Sequence, residues 1–135
     1  MIPLLLIVVC VLASGTAACS NSDADPASGE ARDLAVLKEM EAAIDTLIGG
    51  APAESDADCR AIAFGDKPCG GPWSYKIYSV AGLDTLALAG LVAEYNKYNR
   101  LLNERYGWSS DCMYATPPRV GVISGHCASI KENHQ

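Results

Sequence analysis

The sequence predicts an α+β domain: a small three-stranded sheet, of strand order 2-1-3, packed against two helices and stapled by two disulfides. Two segments repeat apolar residues at helical spacing, and three short runs have the composition or alternation of strands. Four cysteines lie within or between those runs, as in small exported domains whose core needs disulfide support. We assign residues 30–135 to this one domain, because so short a segment holds one core rather than two.

The first helix is predicted over residues 30–48, and Gly49 ends it because glycine tolerates the left-handed conformation that follows many helices. Its apolar stripe comprises Leu34, Leu37, Met40, Ile44, Leu47 and Ile48. The second helix is predicted over residues 84–106, with Asp84 as N-cap and Gly107 as its stop. Its apolar seam comprises Leu88, Leu91, Tyr95, Tyr98 and Leu102. The polar side chains expected to face water are those of Asn96, Arg100, Asn103 and Glu104.

Three strands are predicted, over Cys59–Phe64, 73–78 and 119–128. A long turn, residues 65–72, joins the first two and is rich in glycine and proline. Its prolines have no N–H to donate to a sheet, so we expect the turn to stand clear of the strands.

Topology selects one of the three pairings that four cysteines allow. The turn with Cys69 lies at the top of the first strand, and the second helix returns the chain to the top just before Cys112. The third strand then descends beside the first through a right-handed crossover and brings Cys127 to Cys59. The sequence therefore predicts the disulfides Cys59–Cys127 and Cys69–Cys112.

The chain opens with a segment that is typical of an export signal. Residues 1–13 are apolar, small residues follow, and the first charged side chain is Asp23. The apolar run is shorter than the roughly twenty residues of a transmembrane helix and fits the apolar part of a signal peptide. We predict a signal peptide over residues 1–18, with cleavage before Cys19.

Residues 16–19, Thr-Ala-Ala-Cys, resemble the lipobox of bacterial lipoproteins, which implies that Cys19 carries acyl chains such as palmitate. Cysteine parity favours lipidation, because the signal removes Cys10 and a lipidated Cys19 leaves an even set of four. The alternative is ordinary cleavage near Ala18, which yields a secreted protein with an odd thiol. Ser20, rather than Asp, resembles the pattern for outer-membrane sorting, so we expect a lipid-anchored protein of the cell envelope, on the outer membrane and facing the periplasm.

Charge divides the chain into an acidic part and a nearly neutral part. Residues 19–58 carry ten acidic and two basic side chains, whereas residues 59–135 carry six acidic and eight basic ones. Residues 19–29 are mostly small and polar and are predicted to be a flexible tether. No basic stripe is present, so we predict no nucleic-acid partner.

The residues that would carry chemistry are sparse. His126 and His134 are the two histidines, and no G-x-S-x-G pattern accompanies them. The cysteines lack the short C-x-x-C pairs of zinc or redox sites. We therefore predict no catalytic residue, no metal site, no cofactor and no enzymatic activity.

One longer pattern resembles a family of small exported bacterial proteins that are often lipoproteins. It consists of residues 59–79, CRAIAFGDKPCGGPWSYKIYS, then a helix, Ser-Asp-Cys at 110–112 and Gly-x-Cys at 125–127. That family is uncharacterised, so the resemblance implies no activity and no catalytic residue.

Two functions therefore stay open. The first is a structural or binding module of the envelope, with the membrane as one partner through the N-terminal lipid and an unknown protein as another. The second is an inhibitor of an envelope or foreign enzyme that inserts the loop 66–73. In either case the loop is the candidate binding surface, because a loop held by a disulfide is pre-organised. Its candidate binding residues are Lys67, Pro68, Pro72 and Trp73.

Overall fold

Two helices and two separate β-hairpins build the part of the chain that the structure, a computed structural model, describes: residues 26–130, with side chains from residue 29 onward. The predicted signal peptide and Cys19 lie outside these residues. The helices are α1 (Pro26–Ile48) and α2 (Thr85–Tyr106), and the strands are β1 (Cys59–Phe64), β2 (Ser74–Ser79), β3 (Val120–Ile123) and β4 (His126–Ser129). A short 3₁₀ turn occupies Asp56–Asp58.

Both helices form where the apolar spacing predicts them. α1 begins at Pro26, four residues before the predicted start, and proline suits a first turn because its missing N–H would be unpaired there. At the start of α2, Asp84 caps the helix by accepting from the amides of Leu86 and Ala87. Gly107 ends it in the left-handed conformation, with φ 62°.

The predicted three-stranded sheet is wrong. β1 pairs with β2 in an antiparallel hairpin, and β3 pairs with β4 in a second one, so there are two two-stranded sheets. The predicted strand over residues 119–128 is itself a hairpin, because Ser124 (φ 52°) and Gly125 (φ 80°) reverse the chain between Ile123 and His126. Two consecutive positive φ values are those of a type I′ turn, which matches the twist of a two-residue hairpin.

The connection after α1 occupies the other edge of β4, which the sequence argument left unassigned. The amide of Cys127 donates to the carbonyl of Ala51 at 2.9 Å, and the amide of Ala53 donates to the carbonyl of Gly125 at 3.0 Å. These bonds align residues 51–53 beside β4. β4 therefore has a neighbour on each edge, and β1 pairs with β2 alone.

Two clusters of buried side chains make the core. The larger joins both helices to the first hairpin and contains Ile44, Phe64, Leu88 and Val92. Phe64 also stacks on Tyr95 of α2, with ring centroids 4.1 Å apart. The smaller cluster contains Ala51, Ala53, Cys59 and Cys127. Since it includes the Cys59–Cys127 disulfide, covalent linkage compensates for the small apolar area between the two hairpins.

Both disulfides join the residues that the topology argument selected. Cys59 at the start of β1 is bonded to Cys127 in β4, with Cα atoms 5.3 Å apart. Cys69 in the β1–β2 loop is bonded to Cys112 after α2, with Cα atoms 5.5 Å apart. The pairing of Cys59 with Cys127 is right although its premise, a single third strand beside the first, is wrong. Within residues 26–130, no helix combines the length and apolarity needed to cross a bilayer.

Candidate functional site

The loop 66–73, which is the predicted binding surface, lies between β1 and β2. Two backbone bonds close it: the Lys67 amide donates to the carbonyl of Gly71, and the Gly70 amide donates to the carbonyl of Lys67, each at 2.8 Å. Pro68, Gly70 and Gly71 are exposed, whereas Pro72 is half-buried. The tip of the loop is therefore accessible and has a defined backbone.

Lys67, one of the predicted binding residues, points into the protein. Only 7% of Lys67 is exposed. Its ammonium group donates to the carbonyl of Met113 at 2.6 Å and pairs with the carboxylate of Asp111 at 3.2 Å. Lys67 therefore joins the loop to the segment after α2, alongside the Cys69–Cys112 disulfide, and its charge is not available to a partner.

Asp111 organises that second segment. Its carboxylate accepts from the amide of Met113 at 3.1 Å and from the Lys67 ammonium. The Met113 amide, followed by the Lys67 ammonium, holds the pKa of the Asp111 carboxyl below its usual value of 3.8. Asp111 therefore remains ionised at neutral pH and retains its bond to Lys67.

Trp73, another of the predicted binding residues, lies over the loop itself. Its exposed fraction is 41%, and its ring lies 5.2 Å from the Lys67 ammonium. The ring also occupies the space beside Gly65, where a Cβ atom would lie 2.6 Å from the Trp73 ring. Gly65 has a φ of 80°, so glycine is needed there for both its conformation and its lack of a side chain.

One face of α2 holds the start of the loop, and the sequence argument missed it. Asn96 Oδ1 accepts from the Gly65 amide at 2.7 Å, and Asn99 Oδ1 accepts from the Asp66 amide at 2.8 Å. Asn103 Nδ2 donates to the Asp66 carbonyl at 2.6 Å. The expectation that Asn103 faces water is therefore wrong, since Asn99 and Asn103 are both buried. Their spacing of three and four residues, which places all three amides on one helix face, was the available signal.

A cavity of about 280 Å³ lies between the loop and α2, lined in part by Asp66, Pro68, Asn103 and Glu104. The Arg100 guanidinium lies at its edge and donates to the Asp66 carboxylate at 2.7 Å. Asn103 Oδ1 is buried and has no hydrogen-bond partner, the single such side-chain atom among the residues described.

A second polar cluster fixes the start of α1 against the end of α2. Asp33 accepts from the hydroxyls of Tyr106 at 2.8 Å and Tyr98 at 2.9 Å, and it pairs with Arg105 at 2.6 Å. The Tyr106 hydroxyl, then the Tyr98 hydroxyl and Arg105, hold the pKa of the Asp33 carboxyl below its usual value. This cluster sets where the chain leaves the domain toward its N-terminus.

Other predicted features contribute less. His126 is exposed, and its Nδ1 lies 2.8 Å from the carbonyl of Gly50, so it serves the packing of the second hairpin. Among residues 26–130, no group of three or more His, Cys, Asp or Glu side chains could hold a metal ion.

The chain was compared with models of protein families, with curated proteins and with solved structures, and none of the three comparisons found a match. The resemblance to small exported bacterial proteins therefore stays a prediction that rests on the residue pattern alone.

Proposed function

We propose that the protein is a lipid-anchored binding module of the bacterial cell envelope, without catalytic activity, whose binding surface is the end of the domain that carries the loop 66–73. The anchor is a lipid on Cys19, and the favoured location is the periplasmic face of the outer membrane.

The observation that carries the binding proposal is a loop that is both exposed and held in place. Its tip is accessible, whereas its base is held by a disulfide, by the buried Lys67 and by three asparagines of α2. A surface that is ordered before it meets its partner loses little conformational freedom on binding.

Cysteine usage supports the anchor. Cys59, Cys69, Cys112 and Cys127 are all joined in disulfides. Of the six cysteines, this leaves Cys10 and Cys19, and Cys10 lies within the predicted signal peptide. If Cys19 carries a lipid, the mature chain has no unpaired thiol in an oxidising compartment.

The alternative, an enzyme inhibitor that inserts the loop, now has fewer residues to use. Lys67 is buried against Met113 and is not free to enter a specificity pocket of an enzyme. An inhibitor would have to insert Pro68 and Trp73 instead. We therefore favour the binding module.

Fractionation of Cys19→Ser cells tests the anchor. We expect this variant to leave the membrane fraction for the soluble or unprocessed pool, because both lipidation and the associated cleavage need the thiol. Cys10→Ser is the matched control and should remain in the membrane fraction. If Cys19→Ser is cleaved normally and still partitions with the membrane, the anchor proposal is wrong.

A further inference from the structure

The end of the domain from which the N-terminal chain departs is also the end that carries the loop. Glu30, in the first turns of α1, accepts a hydrogen bond from the Trp108 indole at 2.7 Å. The Trp108 amide donates to the carbonyl of Asn103 at 3.2 Å, and the Asn103 side chain donates to Asp66 at the start of the loop. The start of α1, the end of α2 and the loop are thus connected by consecutive hydrogen bonds.

Three exposed apolar side chains lie at this end, and we call them the end patch: Trp73, Met113 and Tyr114. Their exposed fractions are 41%, 69% and 78%. The buried Lys67 ammonium connects them, because it lies 5.2 Å from the Trp73 ring and bonds the carbonyl of Met113. Tyr114 follows directly in the chain. The Trp73 ring and the backbone of Met113 and Tyr114 therefore lie in one region of the surface.

The length of the tether places this end near the membrane. Residues 19–25, which lie outside the described part, separate the predicted lipid from the start of α1. Seven residues span at most about 25 Å when fully extended. The far end of the domain is marked by Leu86, in the first turn of α2, and α2 alone is about 33 Å long. A lipid on Cys19 therefore holds the end patch within reach of the bilayer surface, whereas Leu86 lies at the opposite end of α2 from the tether.

We propose that the end patch contacts the headgroup region of the bilayer that holds the lipid, as a second point of attachment. This inference rests on the proposed function and names the partner of its binding surface. Tryptophan and tyrosine favour the membrane–water interface, because their rings are apolar and their N–H and O–H groups are polar. The short tether gives a high effective concentration, so even a weak contact is populated. The contact orients the domain with α2 directed away from the membrane.

Oxidative footprinting of the lipid-bearing, full-length mature protein in phosphatidylcholine vesicles tests the orientation. Zwitterionic lipid is the sharper probe, since Asp111 is 60% exposed next to the patch and would be repelled by anionic headgroups. The protection factor of a side chain is its oxidation rate in the unfolded chain divided by its rate on the vesicle. We expect Met113 and Tyr114 to be protected several-fold more than the exposed His126 and Leu86.

Two matched variants separate the contribution of the end patch from that of the lipid. In the wild type we expect Trp73 to be protected on the vesicle as well. The double variant Met113→Asn, Tyr114→Asn should float with the vesicles, because its lipid is intact, but should lose this protection of Trp73. Leu86→Asn changes a leucine that is 85% exposed at the far end of the domain, and this variant should keep the protection of Trp73.

Three outcomes overturn the inference. Protein that floats with the vesicles but shows Met113 as reactive as His126 contradicts the membrane contact and leaves the anchor intact. Protein that does not float contradicts both the anchor and the contact. Protection that appears only in native envelope membranes, and not in pure lipid vesicles, assigns the end patch to a protein partner instead.

Discussion

At the scale of single residues, Lys67 shows how a charged side chain can be structural. A lysine in a glycine- and proline-rich loop is expected to be solvated, and here it is buried and bonded to a backbone carbonyl that lies 46 residues further along the chain. Its pair with Asp111 contributes little by itself, because Asp111 is largely exposed and solvent screens the charges. The hydrogen bond to Met113 is the stronger constraint.

Replacing Lys67 with methionine keeps the aliphatic stem and removes the donor. We expect Lys67→Met to lower the free energy of unfolding by about 1–3 kcal/mol, because the carbonyl of Met113 loses its partner. Urea denaturation measures the change. The control is Lys97→Met on the exposed surface of α2, which should stay within about 0.5 kcal/mol of the wild type. Equal effects of the two substitutions would contradict the structural role of Lys67.

Asp33 should make the stability of the domain depend on pH. Its pKa in the folded protein is lowered by the Tyr106 and Tyr98 hydroxyls and by Arg105, so the ionised form stabilises the fold above the unfolded pKa of about 3.9. That contribution is lost as the pH falls through the folded pKa. We expect Asp33→Asn to melt at a lower temperature than the wild type at neutral pH, and the gap to narrow below about pH 4. Thermal melts of both proteins from neutral pH to below pH 4 measure this difference in melting temperature. A difference that does not change with pH would show that the charge of Asp33 does not stabilise the fold.

At the scale of elements, a two-residue turn decides the strand topology. Ser124 and Gly125 both have positive φ, so the apolar run 119–128 forms a hairpin rather than one long strand. β4 then pairs with β3 on one edge and lies beside residues 51–53 on the other, so β1 is not its neighbour in the sheet.

Replacing glycine with alanine should have opposite effects on stability at Gly125 in this turn and at Gly90 in α2. Gly125→Ala should destabilise the protein by about 1–2 kcal/mol, because an alanine Cβ opposes the left-handed conformation at φ 80°. Gly90→Ala should stabilise it by about 0.5–1 kcal/mol, because Gly90 is exposed in the helix α2 and a Cβ there meets no neighbour within 4 Å. Chemical denaturation of both variants provides the test, and a loss of stability in Gly90→Ala would refute the helix argument.

At the scale of the whole molecule, the two disulfides hold parts that share little core. Cys59–Cys127 connects the first hairpin to the second across 68 residues of chain. Cys69–Cys112 connects the binding loop to the segment that carries most of the end patch. One bond therefore supports the global fold, and the other supports the proposed binding end.

Removing each bond should separate these roles. Replacing Cys59 and Cys127 with alanine should lower the free energy of unfolding by about 4 kcal/mol, since the unfolded chain regains the entropy of a long loop. Replacing Cys69 and Cys112 should, in addition to any loss of stability, speed hydrogen exchange of the Gly70 amide under native conditions. Exchange at Gly70 that rises equally in both double variants would show that the second disulfide has no local role.

The sequence by itself determined the elements whose signal is local. Helical spacing, the Asp84 cap and the Gly107 stop predicted α2 almost to the residue, and the run Cys59–Phe64 predicted β1. The order of the elements also predicted both disulfides, although the argument for Cys59–Cys127 used one long third strand where the structure has a hairpin.

Only the tertiary structure decided which polar side chains are buried and which strands are neighbours. Lys67, Asn99 and Asn103 look like surface residues because a sequence pattern records a residue's polarity and not the partner that satisfies it. Their partners lie between 33 and 46 residues away along the chain. The same holds for β4, whose pairing with residues 51–53 depends on where α1 ends in space. Long-range hydrogen bonds cannot be read from local spacing, and in this protein they hold the proposed binding end in place.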